Sequence, residues 1–157
     1  MKSSGTLIAV SDLERSKKFY QEVLNLKLVE DVGARVVMTG GIVLQTLESW
    51  KEIIHKSAEE IVLENNAVEI RLETDDMDVF VKGLAIRNDV EYVHPIQEYR
   101  SGMRLVRIYD PDRYIISIGE NTMTLVRKLL EKGYNIAEVA KRMGVSKEYV
   151  INCLQHF

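Results

Sequence analysis

The sequence predicts an α+β fold, and three observations carry that prediction. A short apolar segment, an acidic cap, an amphipathic helical stretch and three strand-like segments follow one another, and the same order then recurs in the second half of the chain. Turn residues, chiefly Gly and Asp, separate the strand-like segments, which makes each trio a meander. Beyond residue 120 the pattern turns wholly helical and the charge changes sign. The expectation is paired β-α-β-β-β modules forming a curled mixed sheet around a small-molecule pocket, with a small helical appendage.

In the first module, Thr6 to Val10 is short, apolar and β-prone. Ser11 or Asp12 offers an N-cap oxygen, with Glu14 in capping-box spacing from Ser11. Ser16, Phe19, Tyr20, Val23 and Leu24 then recur at helical spacing. Strands are expected over 26–32, 35–39 and 41–47, with turns at Gly33 and Gly40-Gly41. Residues 48–66 read as the connection between modules, with Trp50, Ile53, Ile54 and Ser57 on one face of a short helix and Asn65-Asn66 in a loop. The second module opens on residues 67–74, where Val68, Ile70 and Leu72 alternate with Glu69, Arg71 and Glu73. Asp75 is the expected cap of a helix carrying Met77, Phe80, Val81 and Leu84. Strands are expected over 90–93, 102–109 and 114–119, the last two joined by Asp110-Pro111-Asp112-Arg113.

The chain has 157 residues, 46% hydrophobic and 29% charged, enough apolar content for a full core. Neither a signal-peptide pattern nor a run of ~20 apolar residues is visible, so a cytoplasmic protein without a membrane span is expected. Cys153 is alone, which excludes an internal disulfide and a cysteine-based zinc cage. The formal net charge is −3. Residues 121–157 nevertheless carry Arg127, Lys128, Lys132, Lys141, Arg142 and Lys147 against Glu131, Glu138 and Glu148. That shift places a boundary near Glu120, with a domain over 1–120 (modules at about 5–47 and 67–120) and a tail over 121–157.

Val10-Ser11-Asp12-Leu13-Glu14-Arg15-Ser16, followed by Phe19-Tyr20 and Leu24, and Asp110-Pro111-Asp112 leading into a terminal strand, resemble the vicinal oxygen chelate superfamily of glyoxalases, bleomycin-resistance proteins and extradiol dioxygenases. The resemblance spans residues 5–120. It implies a glyoxalase-like cup and a homodimer, with activities ranging from lyase or dioxygenase to plain binding. It also implies four metal positions, which fall here on Gly5, Gln45, Glu69 and Ser117. Glycine has no side chain and serine is a poor neutral ligand for Zn²⁺, Ni²⁺ or Fe²⁺. No metal cofactor is expected, or at most a weak divalent one. His55, His94 and His156 lie off all four positions.

Candidate site residues follow from strand alternation. If Glu69 faces the cup, so do Arg71 and Glu73, and a guanidinium between carboxylates suits a polar or anionic ligand. An equal alternative is the solvated face of a half-exposed sheet. Glu69 would act as a general base if burial raised its pKa towards neutrality; a salt bridge to a neighbouring Arg is its structural alternative. Gln45 would orient a carbonyl and His94 would shuttle a proton at a strand end. Arg104 and Arg107 point to opposite faces, so at most one enters the cup, and Arg104 is assigned to the ligand. Trp50 would lid the pocket.

In the tail, Leu125, Val126, Leu129 and Leu130 form one helical face ending at Gly133. Asn135 with Glu138, and Ser146, cap two further helices. Val139-Ala140, Met143-Gly144-Val145, Val150 and Cys153 have helix-turn-helix spacing, and residues 136–154 resemble that motif. The third helix is sparsely basic, so nucleic-acid binding is the minor expectation and a packing appendage the major one. The functional expectation is a protein that binds a small polar molecule in the cup. The alternatives are a metal-dependent lyase or dioxygenase and a ligand-sensing DNA-binding regulator.

Overall fold

Local capping and apolar spacing decide where the elements fall. The computed structural model describes residues 1, 4–64 and 66–155, so Asn65 of the expected loop and His156 lie outside the described residues. Two compact units form, one from residues 1–68 with 109–114 and the other from residues 69–108 with 115–157.

The first unit contains β1 (Thr6–Val10), α1 (Leu13–Glu22), β2 (Leu28–Asp31), β3 (Arg35–Met38), β4 (Ile42–Thr46) and α2 (Leu47–Ile54). Its sheet runs β1-β4-β3-β2, with β1 parallel to β4 and the other pairs antiparallel. A parallel neighbour requires a crossover, and α1 with the β2–β3 hairpin supplies it. Asp12 caps α1 by accepting from the backbone N–H of Arg15 at 3.0 Å. Ser11 is not the cap, because its hydroxyl is engaged by Asp112, and Glu14 pairs with Lys17 instead of closing a capping box. Phe19 and Tyr20 bury the helix face, and Ile8, Ala9, Val10, Val36, Met38, Ile42 and Leu44 are the buried apolar residues of the strands. Ser57 caps a single 3-10 turn beyond α2 rather than extending that helix.

The two motifs behind the resemblance are in contact. Asp112 accepts from the backbone N–H of Ser11 at 3.0 Å, from its hydroxyl, and from Arg15 Nη2 at 3.1 Å. Asp110 accepts from Tyr20 Oη at 3.0 Å and from the backbone N–H groups of Asp112 and Tyr114 at 3.0 and 2.8 Å. Both carboxylates are buried. The sequence signature is therefore a latch between α1 and the turn at 110–113.

The second unit repeats the plan with β5 (Glu69–Thr74), α3 (Met77–Ala85), β6 (Tyr92–Glu98), β7 (Arg104–Tyr109) and β8 (Ile115–Glu120). The sheet order is β5-β8-β7-β6, again with the first pair parallel. The cap of α3 is Asp76, not Asp75: its carboxylate accepts from the N–H of Val79 at 2.9 Å. β6 runs well past the expected 90–93. As an edge strand it accommodates Pro95, which cannot donate to a ladder, and its pairing shifts register on both sides of His94.

The tail forms α4 (Thr122–Glu131), α5 (Ile136–Met143) and α6 (Lys147–Gln155). Leu125, Val126, Leu129, Val139, Ala140, Val150 and Cys153 make one buried cluster, with Met103 of the β6–β7 turn packed against it. Asn135 and Glu138 cap α5 reciprocally, Gly144 ends it at φ 69°, and Ser146 Oγ accepts from the N–H of Tyr149 at 3.0 Å. Among the described residues no helix is long and apolar enough to cross a membrane.

Candidate functional site

One face of the second sheet gathers a polar cluster. β5 lies beside β8 with Arg71 opposite Ser117, and the two-residue pleat brings Glu69 to the same face. Ser117 donates to Glu69 Oε1 at 2.9 Å, and Arg107 Nε donates to Glu69 Oε2 at 2.6 Å. Arg107 Nη1 also reaches Tyr99 Oη and His94 Nε2, both at 2.9 Å. With Nε2 accepting from a guanidinium, the proton of His94 belongs on Nδ1, which lies 2.8 Å from the carbonyl of Pro95. Arg71 Nε stands 3.9 Å from Glu69, with its side chain 79% exposed. The result is a carboxylate held by three partners, a guanidinium held by three partners and a second guanidinium open to solvent.

Burial pushes the Glu69 carboxyl up, but the hydrogen bonds from Arg107 and Ser117 and the charges of Arg107 and Arg71 outweigh it. The net direction is below the ordinary value of 4.5. The condition for a general base, a carboxyl raised towards neutrality, is therefore not met. Arg107 is shifted upward, its bonds to Glu69 and Tyr99 outweighing desolvation.

The other sequence-derived residues are distributed differently. Arg104 does not join this cluster, because alternation along β7 turns it to the opposite face. There it bonds Glu120 Oε1 through Nε and Nη2 at 3.0 and 2.7 Å and reaches Asp78 of α3. Lys128 of α4 adds a contact to the same Oε1 at 3.3 Å. Glu73 is exposed and has no role in the cluster. Gln45 and Trp50 belong to the first unit: Gln45 is buried and donates to Ser49 Oγ at 2.7 Å, and Trp50 is half-buried on α2. His55 takes the left-handed C-cap of α2 at φ 56°. Arg107 and Tyr99 are the cluster members that sequence reasoning left unassigned.

Gly5 and Gln45 are not brought level either. Gln45 pairs opposite Ala9, four residues along from Gly5. Gly5 has φ +133°, and a Cβ there would lie 2.3 Å from the carbonyl oxygen of Gly41. No side chain, histidine included, fits without moving the start of β4. The residues at the four metal positions thus do not suit a transition ion: one has no room for a side chain, Gln45 is engaged with Ser49, and Ser117 donates its proton to a Glu69 already paired with Arg107. Among the described residues no group of three or more His, Cys, Asp or Glu is placed to hold a metal.

An α+β protein with two such β-α-β-β-β sheets, the β1–α1 and Asp-Pro-Asp latch and a sheet-face cluster has the glyoxalase fold. A family model described as a glyoxalase-like domain matches residues 4–123, and the chain belongs to that family. A second model, described as a helix-turn-helix domain of resolvase, matches residues 117–150. A crystal structure of a protein of unknown function from Agrobacterium tumefaciens str. C58 is similar at 33% identity and TM-score 0.70, over 77% of this chain and 94% of that one. A glyoxalase/bleomycin resistance protein/dioxygenase family enzyme from Burkholderia phytofirmans PsJN matches at 18% identity and TM-score 0.64, over 74% and 96%. A lactoylglutathione lyase from Agrobacterium tumefaciens matches at 19% and 0.60, over 78% and 95%. No curated protein matches the chain.

Proposed function

We propose that this is a metal-poor, glyoxalase/bleomycin-resistance-like protein that binds a small anionic molecule on the Arg71–Arg107 face of the second sheet. The observation that carries the reading is the commitment of Glu69, the best ligand of the four family positions, to Arg107 and Ser117. A carboxylate so paired neutralises and orients a guanidinium, while Arg71 beside it stays accessible. An incoming carboxylate or phosphate takes a two-pronged contact from Arg71 and can compete with Glu69 for Arg107. Tyr99 Oη and the Arg107-bonded His94 then border the ligand. In this reading the protein acts as a homodimer, as the superfamily resemblance implies, and metal-dependent lyase or dioxygenase chemistry is the alternative.

Two measurements test it together. Elemental analysis after soaking with Ni²⁺, Zn²⁺, Mn²⁺ and Fe²⁺ should find substoichiometric metal. NMR titration with inorganic phosphate and with oxalate should move the Arg71, His94, Tyr99 and Arg107 signals, and Arg71→Ala should abolish the shift. Near-stoichiometric metal that disappears in Glu69→Ala would overturn the reading in favour of the metalloenzyme. Phosphate and oxalate shifts that ignore this face would overturn it outright.

A further inference from the structure

We infer that the three-helix tail completes the Arg71–Arg107 face: through the β6–β7 turn it fixes Tyr99 as a hydroxyl donor to the bound anion, with Met103 as the positioning residue. On the anion-binding reading of that face, on which this inference rests, Tyr99 becomes a ligand contact and the tail the part of the fold that aims it. Register along β6 does not place Tyr99. The last ladder pair is Glu98 with Arg104, and the pairing shifts on both sides of His94. Tyr99 thus stands just beyond an irregularly registered edge strand.

What does place it is the turn. The Tyr99 N–H donates to the Met103 carbonyl and the Gly102 N–H to the Tyr99 carbonyl, both at 2.8 Å. Ser101 Oγ accepts from the Met103 N–H at 3.3 Å. Residues 99–103 are therefore tied into one piece, and that piece is seated on the tail. Met103 packs against the buried cluster that α4, α5 and α6 close. Gly102 is buried at φ +84°, and a Cβ there would lie 3.6, 3.7 and 3.8 Å from Arg142 Nε, Leu129 Cδ2 and Leu125 Cδ1. The turn backbone lies on α4 and α5, held by interior packing and not by its own strand.

At its other end the turn delivers a donor to the sheet face. Tyr99 Oη accepts from Arg107 Nη1 at 2.9 Å, which leaves its own proton free to donate. The acceptors nearby are already engaged: Glu69 takes Arg107 and Ser117, and His94 Nε2 takes Arg107. An incoming oxyanion therefore meets donors, the two guanidinium groups and the Tyr99 hydroxyl. A phenol that is 43% exposed would have to give up backbone and rotamer freedom to make this bond. Seating the turn on the tail removes the backbone part of that freedom before the ligand arrives.

The test is a double-mutant cycle on the full chain, read by NMR titration with inorganic phosphate and with oxalate. Tyr99→Phe should weaken both about tenfold, the loss of one hydrogen bond to a charged group. Met103→Ala should weaken them by a similar factor, shift the Tyr99 ring signals of the free protein and leave those of Trp50 in place. In the Tyr99→Phe background Met103→Ala should cost nothing further. Met103→Leu, of similar volume, should keep the wild-type affinity and Tyr99 signals. Circular dichroism would establish that the tail remains helical, and Tyr99→Phe, which alters one oxygen, stays decisive if Met103→Ala unfolds it. If Arg71→Ala abolishes binding while Tyr99→Phe leaves it unchanged, the anion reading stands and the inference falls. Additive losses, or Tyr99 signals that ignore Met103→Ala, would overturn the role of the tail. No phosphate or oxalate shift on this face in the wild type would overturn the anion reading and the ligand contact with it.

Discussion

Asp110→Asn tests whether the latch between α1 and the 110–113 turn holds its carboxylate at a cost. Asp110 is 3% exposed, and desolvation pushes its carboxyl up to about 6 from 3.8, with repulsion from Asp112 adding to it. Hydrogen bonds from Tyr114, Tyr20 and Asp112 pull the other way without cancelling it. The folded value lies above the unfolded one, so between about pH 4 and 6 the native state holds a proton that the unfolded chain has released. This contribution to stability is complete below the unfolded pKa and is lost as pH rises through the folded one. At 1.36 kcal/mol per pH unit, the loss is about 3 kcal/mol by neutral pH. Asparagine keeps the acceptor oxygen for the Asp112 and Tyr114 N–H groups but cannot ionise. Urea denaturation of both proteins from pH 4 to 7.5 should show the variant gaining on the wild type by about 3 kcal/mol across that range. Other titrating groups cancel in the difference. A flat difference, or a variant that loses ground as pH rises, would refute the reasoning.

Three further outcomes are expected. Gly5→Ala should destabilise by about 2–4 kcal/mol in urea melts, since its Cβ meets the Gly41 carbonyl at a left-handed φ, and Gly5→His should fare no better and recruit no metal. Arg107→Met removes the strongest opposition to burial at Glu69, so the Glu69 titration followed by carboxyl NMR should move upward; an unchanged value would mean the pair does not hold in solution. Glu120→Gln should cost about 1–3 kcal/mol by loosening Arg104 and Lys128, a figure discounted because both cations are partly exposed. Glu120 is held below 4.5 when folded, so its contribution in the wild type is present above that value and lost as pH falls through the folded pKa. The variant should lack that acid limb.

The repeat, the capping residues and the apolar stripes were legible because they are local. Helix position follows from which oxygen meets the first free N–H groups, so Asn135 and Ser146 could be read from spacing alone, whereas spacing left the α1 cap open between Ser11 and Asp12. The α3 cap slipped by one, because Asp75 and Asp76 offer the same chemistry and only backbone geometry chooses between them. At the candidate site Glu69 and Ser117 were reached through the family resemblance, Arg71 through alternation from Glu69, and His94 through its residue type. Arg107 and Tyr99 were not. His94 stands opposite Arg107 only because the β6–β7 pairing shifts register on both sides of it. A bulge of that kind has no composition signature, so the sequence reading assigned Arg104 to the ligand where the ladder brings Arg107 to Glu69.

By itself the sequence determined the element order, the doubled module and the helical tail, all set by residue type and near-neighbour spacing. Only the tertiary structure decided which arginine meets Glu69, that Gly5 has no space for a side chain, and that the family motifs form a latch. Those outcomes depend on strand register and on how far water is excluded around each charge, and both are properties of residues distant in the chain.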